Sequence, residues 1–236
     1  MSGHSKWAKI KRQKASADAK KGNIFTKLAN NITIAAKKGG DPEMNFSLRL
    51  AIDKAKEGNM PKENIERAIK RGTGELGGAT VEELTYEGFG PAKSAFIIET
   101  LTDNKNRTAA EIRHLFTKHG GSLGNVAWNF NRFGVVRISK GNTPNNENFE
   151  LELIDAGADD IQKEEEGITI LTPMENLQKL KNFLDSKNIK TESAEIEYIA
   201  KEEKQISDED KTKIEKFIED LDENEDVNNY YTDVNM

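Results

Sequence analysis

The sequence predicts an α+β protein in which a basic, all-helical N-terminal domain precedes two small α/β domains of ferredoxin-like plan, one inserted in the other. Three observations carry that reading. Apolar residues recur at three- and four-residue spacing as far as Gly72. From Val81 onward, short apolar and β-branched runs alternate with helical stripes. The charge is also divided along the chain rather than spread over it. At 236 residues there is room for two or three small cores.

In the helical region, Ile24, Phe25, Leu28, Ile32, Ala35 and Ala36 make one stripe over 22–38, stopped by Gly39-Gly40. Asp41-Pro42 predicts an N-cap and a proline at the first helical position; Met44, Leu48, Ala51, Ile52 and Ala55 continue that second helix to Gly58. Asn59 and Pro61 repeat the signature ahead of Ile65, Ala68 and Ile69, and Gly72 closes a third helix. Residues 5–20 offer only Trp7, Ile10 and scattered alanines as apolar anchors.

Beyond Val81, the residues Leu84, Tyr86 and Phe89 lead to a turn at Gly90-Pro91, and 94–101 has the composition of a buried strand. Thr108 and Glu111 stand at capping-box spacing before a helix carrying Ile112, Leu115 and Phe116, stopped by Gly120-Gly121. Residues 126–130 and 134–138 read as two strands. A polar linker over 142–148 precedes a short helix ending at Gly157, strands over 160–165 and 168–171, a helix opened by Pro173, and a strand over 196–199. Ser207 caps a last helix with Ile214, Phe217, Ile218 and Leu221, and 227–234 supplies a last strand. Residues 133–200 alone run strand-helix-strand-strand-helix-strand. The flanking portion falls one helix and one strand short of that plan, which the C-terminal elements complete. The expected domains are 1–75, then 76–131 together with 202–236, and 132–201 as the insert.

Composition excludes several chemistries. With no cysteine there is no disulfide framework, thiolate metal site or cysteine nucleophile. No apolar run approaches the ~18 residues of a membrane span. A positive N-terminus without an apolar stretch is not a signal peptide. These features predict a soluble, cytoplasmic, monomeric protein without metal, cofactor or small-molecule substrate.

The net charge of −6 conceals +9 over residues 1–40 and −17 over residues 144–236. Lys6, Lys9, Lys11, Arg12, Lys14, Lys20, Lys21 and Lys27 fall within 22 residues containing one acid, with Trp7 among them. Lysines that neutralise phosphates release condensed counterions, and an aromatic can stack on a base, so this arm points to nucleic acid. Trp7 itself reads first as a core anchor of the helical domain, with base stacking as the alternative.

Other motifs carry less. Gly72-Thr73-Gly74-Glu75-Leu76-Gly77 matches G-x-G-x-x-G, but a helix rather than a strand enters it, which makes it an interdomain linker. His114 and His119 are five residues apart and fail the spacing of a helical metal pair; His4 lies near the N-terminus. The polar loop over 102–108 offers Lys105 and Arg107 as secondary anion contacts, with ordinary turn and capping chemistry as the alternative. The acidic runs at 164–166 and 207–210 read as solvated surface.

The segments Ser2-Gly3-His4-Ser5-Lys6-Trp7, Asp18-Ala19-Lys20-Lys21-Gly22, Ile24-Phe25-Thr26-Lys27, the run over 59–74, Tyr86-Glu87-Gly88 and the loop over 102–108 resemble the YebC/PmpR family. The resemblance is specific over 1–130 and rests on element order beyond. It implies a bacterial cytoplasmic protein of three domains with no enzymatic activity. It further implies either a DNA-binding transcriptional regulator or, as in the mitochondrial translational activator of cytochrome c oxidase, a ribosome-associated translation factor that binds rRNA or tRNA. The start at Met1 is unlike a cleaved mitochondrial presequence. One departure is the turn Gly124-Asn125, about three residues shorter than the family pattern. An enzyme with a site between the α/β domains is the reading from a different class, and no nucleophile, metal or cofactor signature favours it.

Overall fold

The computed structural model describes residues 21–77, 80–144 and 148–235. Among the described residues three helices come first: α1 (Lys21–Ala36), α2 (Phe46–Glu57) and α3 (Lys62–Gly72). Their stripes meet in a core of Leu28, Ile32, Leu48, Ile52, Met60 and Ile65. Gly72 lets α3 close on α1, since a Cβ there would stand 2.3 Å from the Thr33 carbonyl oxygen.

The helix junctions differ from expectation. Asn45, rather than Asp41, caps α2: its side chain accepts from the Leu48 N–H and donates to the carbonyls of Ala35 (2.8 Å) and Gly39 (2.7 Å). One buried amide thus serves the start of α2 and the end of α1, which an aspartate cannot do because it has no donor. Residues 41–44 form a turn ahead of the cap, and Met44 is exposed. Asn59 adopts φ +57° after Gly58 and so finishes α2; α3 starts behind Pro61 with no side-chain cap.

The strands and remaining helices follow as β1 (Glu82–Phe89), β2 (Ala95–Thr102), α4 (Lys105–Lys118) and β3 (Ser122–Leu123). Next come β4 (Phe130–Ser139), α5 (Phe149–Asp155), β5 (Asp160–Lys163), β6 (Gly167–Thr172), α6 (Leu177–Ser186) and β7 (Ser193–Ala200). The last two elements are α7 (Asp208–Glu223) and β8 (Val227–Thr232). They form two antiparallel sheets, ordered β3-β1-β2-β8 and β5-β6-β4-β7. In the second, the first and third strands are central and the second and fourth lie at the edges, as in a ferredoxin-like fold. The first repeats that spatial plan by a permutation, with β1 in the slot that β6 fills in the other. Its last helix and strand are the C-terminal α7 and β8, reached after the whole second sheet has been built.

Two sequence expectations are corrected here. Residues 126–130 are not a strand: Ala127–Asn129 form a single 3-10 turn, and the strand β4 begins only at Phe130 and takes in the expected segment 134–138. The cause is remote, because Glu87 on β1 accepts hydrogen bonds from the amides of Val126 and Ala127, both at 2.8 Å, and tightens the turn. Thr108 and Glu111 are not a capping box either. The cap of α4 is Asn104, which accepts from the Arg107 N–H, and Thr108 lies inside the helix. By contrast Ser207 caps α7 as expected, accepting from the Asp210 N–H.

Each sheet buries one face under its helices. Phe96 and Ile98 meet Ile112, Phe116, Phe217 and Leu221 in the first. Val136, Ile138, Ile168 and Ile170 meet Leu153 and Leu180 in the second. The opposite face of the first sheet packs through Ala95, Ile97 and Tyr231 on Phe130 and Tyr198, with Tyr198 and Tyr231 ring centroids 5.3 Å apart. Inside the second sheet, Arg137 (1% exposed) and Glu197 (2%) form a buried two-pronged ion pair. The helical region is tied to both sheets. Lys37 Nζ donates to the Val81 carbonyl at 2.6 Å, Asn31 and Asn228 exchange side-chain hydrogen bonds, and Lys54 pairs with Glu195 at 3.2 Å.

Candidate nucleic-acid interface

Of the residues the sequence singles out, Lys6, Trp7, Lys9, Lys11, Arg12, Lys14 and Lys20 lie outside the described residues, and Lys21 is described only in its backbone, as the first residue of α1. Lys27, one and a half turns further on, donates from Nζ to the Asp222 carbonyl at 3.0 Å. Asn23 donates to the Glu223 carbonyl at 3.4 Å. The helix that follows the arm is therefore anchored on the C-terminal end of α7, where the last carbonyls of the helix carry partial negative charge. The arm is rooted where the most acidic part of the chain meets the helical domain.

Lys105 and Arg107 stand together at the start of α4, and both have internal partners. Lys105 Nζ is 2.6 Å from Glu82 Oε2. Arg107 Nη2 reaches Asp226 at 2.9 Å, in a carboxylate that also accepts from the hydroxyls of Thr102 and Thr108. An external anion gains these cations only by displacing those carboxylates. On α3, Arg67 and Lys70 are exposed, and Lys62 pairs with Glu66. The sequence reading passed over them because their α3 stripe holds acids as well as bases.

The histidines take structural positions. His114 is exposed on α4, while His119 Nε2 lies 2.7 Å from Asp220 Oδ2, which Lys118 also reaches at 2.6 Å. Hydrogen bonds from His119 and then Lys118 hold the Asp220 carboxyl below its usual pKa. Among the described residues no cluster of acids and histidines is disposed to hold a metal ion. No described helix is long and apolar enough to cross a membrane.

The outer face of the first sheet is acidic. By register Glu83, Glu87 and Glu99 point to the side opposite the helices, with Glu195 of β7 close by. Burial, reinforced by Glu83 and Glu195, raises the Glu99 pKa, although Asn229 and Tyr231 donate to its Oε2. Burial and the neighbouring Glu99 charge push the Tyr231 phenol well above its usual range.

Family models match the chain over nearly its whole length: the TACO1/YebC protein N-terminal domain over residues 5–75, and the TACO1/YebC second and third domain over residues 81–234. The chain belongs to the TACO1/YebC family. Curated relatives agree. A probable transcriptional regulatory protein of Thermoanaerobacter pseudethanolicus is 51% identical over 240 aligned positions, covering 100% of this chain and 98% of the relative. One from Caldanaerobacter subterraneus is 50% identical, covering 100% and 99%. The crystal structure of a conserved hypothetical protein from Aquifex aeolicus superposes with a TM-score of 0.85 at 39% identity, over 94% of this chain and 93% of that one. For this TACO1/YebC chain the matched segments meet between Glu75 and Val81, where α3 ends and the first sheet begins.

Proposed function

We propose that the chain is a non-enzymatic regulatory protein that binds nucleic acid through its N-terminal arm, acting as a DNA-binding transcriptional regulator. One observation carries the reading: +9 over the first 40 residues is segregated from −17 over residues 144–236 in a protein that is acidic overall. Lys6, Lys9, Lys11, Arg12, Lys14, Lys20, Lys21 and Lys27 supply the phosphate contacts in this account, with Trp7 among them, and each contact gains counterion-release entropy. Lys105 and Arg107 enter as secondary contacts after exchanging Glu82 and Asp226 for phosphate. The acidic C-terminal portion repels phosphate, so the arm meets it first and sets the orientation of binding. The names of the curated relatives, probable transcriptional regulatory proteins, support the regulatory part of the reading.

A translation factor that uses the same arm on ribosomal RNA or tRNA is the second reading, favoured by the family model that groups TACO1 with YebC. Cross-linking in cells followed by sequencing of the bound nucleic acid separates the two. Discrete promoter peaks are expected. Enrichment of ribosomal RNA or tRNA without such peaks would overturn the transcriptional reading in favour of the translational one.

A further inference from the structure

We propose that Trp128, with Phe89 against the same loop, is a stacking platform for unpaired nucleobases, and that the chain grips single-stranded nucleic acid there. The inference rests on the nucleic-acid reading above and adds a second contact of different chemistry. Trp128 is 65% exposed, an unusual position for the largest apolar side chain.

The exposed ring sits on a turn held from beneath. Glu87 accepts from the amides of Val126 and Ala127, and Asn129 N–H closes the turn onto the Val126 carbonyl at 3.0 Å. Lys201 Nζ donates to the Trp128 carbonyl at 2.7 Å, and the Lys201 N–H donates to the Asn129 carbonyl at 2.9 Å. The indole N–H itself is used, donating to the Asn125 carbonyl at 3.3 Å. What remains for a ligand is the flat apolar face of a ring whose backbone is fixed, so binding costs little ordering entropy.

The surroundings suit a base attached to a phosphate chain. Phe89, 38% exposed, lies against Gly124 at the start of the same loop; a Cβ on Gly124 would stand 3.5 Å from its ring carbons. Arg132 is exposed, with its guanidinium 5.3 Å from the Tyr198 ring centroid, and Lys93 is exposed at the tip of the β1–β2 hairpin. Two carboxylates beside the turn face inward, Glu87 to the turn amides and Asp233 to the Ala95 N–H (2.8 Å) and Asn129. Two rings bordering one loop, with the Lys201 ammonium at the Trp128 carbonyl, suit unstacked bases and their phosphates. A duplex hides its base faces in its own stack, so the platform selects single strands or loops.

The test compares the full chain with W128A, W128F and the arm variant K9Q/K11Q/R12Q/K14Q. Affinities are measured for a short labelled oligouridine and for a blunt-ended, two-strand duplex without a loop at one salt concentration, and each variant is checked by a thermal melt. Stacking on one base accounts for roughly a ten-fold affinity change, so W128A is expected to lower the oligouridine-to-duplex affinity ratio about ten-fold, with W128F restoring most of it. In a W7F background, oligouridine should also quench the remaining tryptophan emission. An unchanged ratio in W128A, with duplex binding still lost in the arm variant, overturns the platform and leaves the arm standing. Loss of oligouridine binding in W128A, with undiminished duplex binding in the arm variant, supports the platform and overturns the arm. A full chain that binds neither probe overturns both.

Discussion

Asp226 gathers donors from three other residues, and its removal should destabilise the first sheet more than the loss of any one of them. The carboxylate is 7% exposed between α7 and β8 and accepts from Thr102 Oγ1 at 3.2 Å, Thr108 Oγ1 at 2.7 Å and Arg107 Nη2 at 2.9 Å. Thr102 is buried and has no second acceptor in its hydrogen bonds, so Asp226→Ala leaves its hydroxyl short of a partner at a cost of about 1–2 kcal/mol. Thr108 can turn to the Asn104 carbonyl at 3.0 Å, which limits its loss to about 1 kcal/mol. The Arg107 side chain is 47% exposed, so its ion pair adds only up to about 1 kcal/mol. The total is about 3 kcal/mol, which lowers a urea midpoint by about 1 M for a chain of this size. Arg107→Ala, which leaves Asp226 with both hydroxyls, should cost no more than about 1 kcal/mol. Urea titration followed by far-UV circular dichroism reads both. If Asp226→Ala shifts the midpoint no further than Arg107→Ala, the carboxylate is not the hub described.

Three further perturbations follow from the same packing. The folded state raises the Glu99 pKa, so the ionised carboxylate opposes folding above that pKa and the penalty disappears as pH falls through it; Glu99→Gln should raise the melting temperature at about pH 7, with the gain shrinking towards about pH 4. A gain equal at both pH values would contradict the burial cause. Asp220 is shifted the other way, so its contribution is present above the unfolded carboxyl pKa of about 4 and is lost as pH falls through the lowered folded value. Asp220→Asn should therefore lower the melting temperature near neutrality and converge on the unaltered protein in acid, and a difference independent of pH would argue against the His119 and Lys118 bonds. Gly72→Ala places a methyl group 2.3 Å from the Thr33 carbonyl oxygen and 2.6 Å from Ala36 Cβ, which should cost about 2 kcal/mol as α3 is pushed from α1. An unchanged thermal melt would mean that the two helices have room to give.

Much of this fold is local in origin and could be read directly. The stripes Leu28-Ile32 and Ile214-Phe217-Ile218-Leu221 face a core because helical spacing permits nothing else, and the permuted second plan follows from element order. What escaped reading depends on partners far along the chain. Asn45 outcompetes Asp41 as a cap because it also closes α1 through Ala35 and Gly39. Residues 126–130 have the apolar, aromatic content of a strand, yet Glu87, about forty residues earlier, draws the Val126 and Ala127 amides into a turn. The same misreading placed Trp128 in a strand. The basic arm was legible because charge density is a property of sequence alone. The anchoring of Lys27 on the α7 terminus was not, because it joins residues 195 positions apart.

The central claim is that phosphate contacts come from the arm, and the salt dependence of binding tests it most directly. Each phosphate contact contributes roughly 0.7–0.9 to the slope of log affinity against log salt, so replacing Lys9, Lys11, Arg12 and Lys14 by glutamine should lower that slope by about 3 and weaken binding throughout. A slope and affinity equal to those of the unaltered chain would contradict the account.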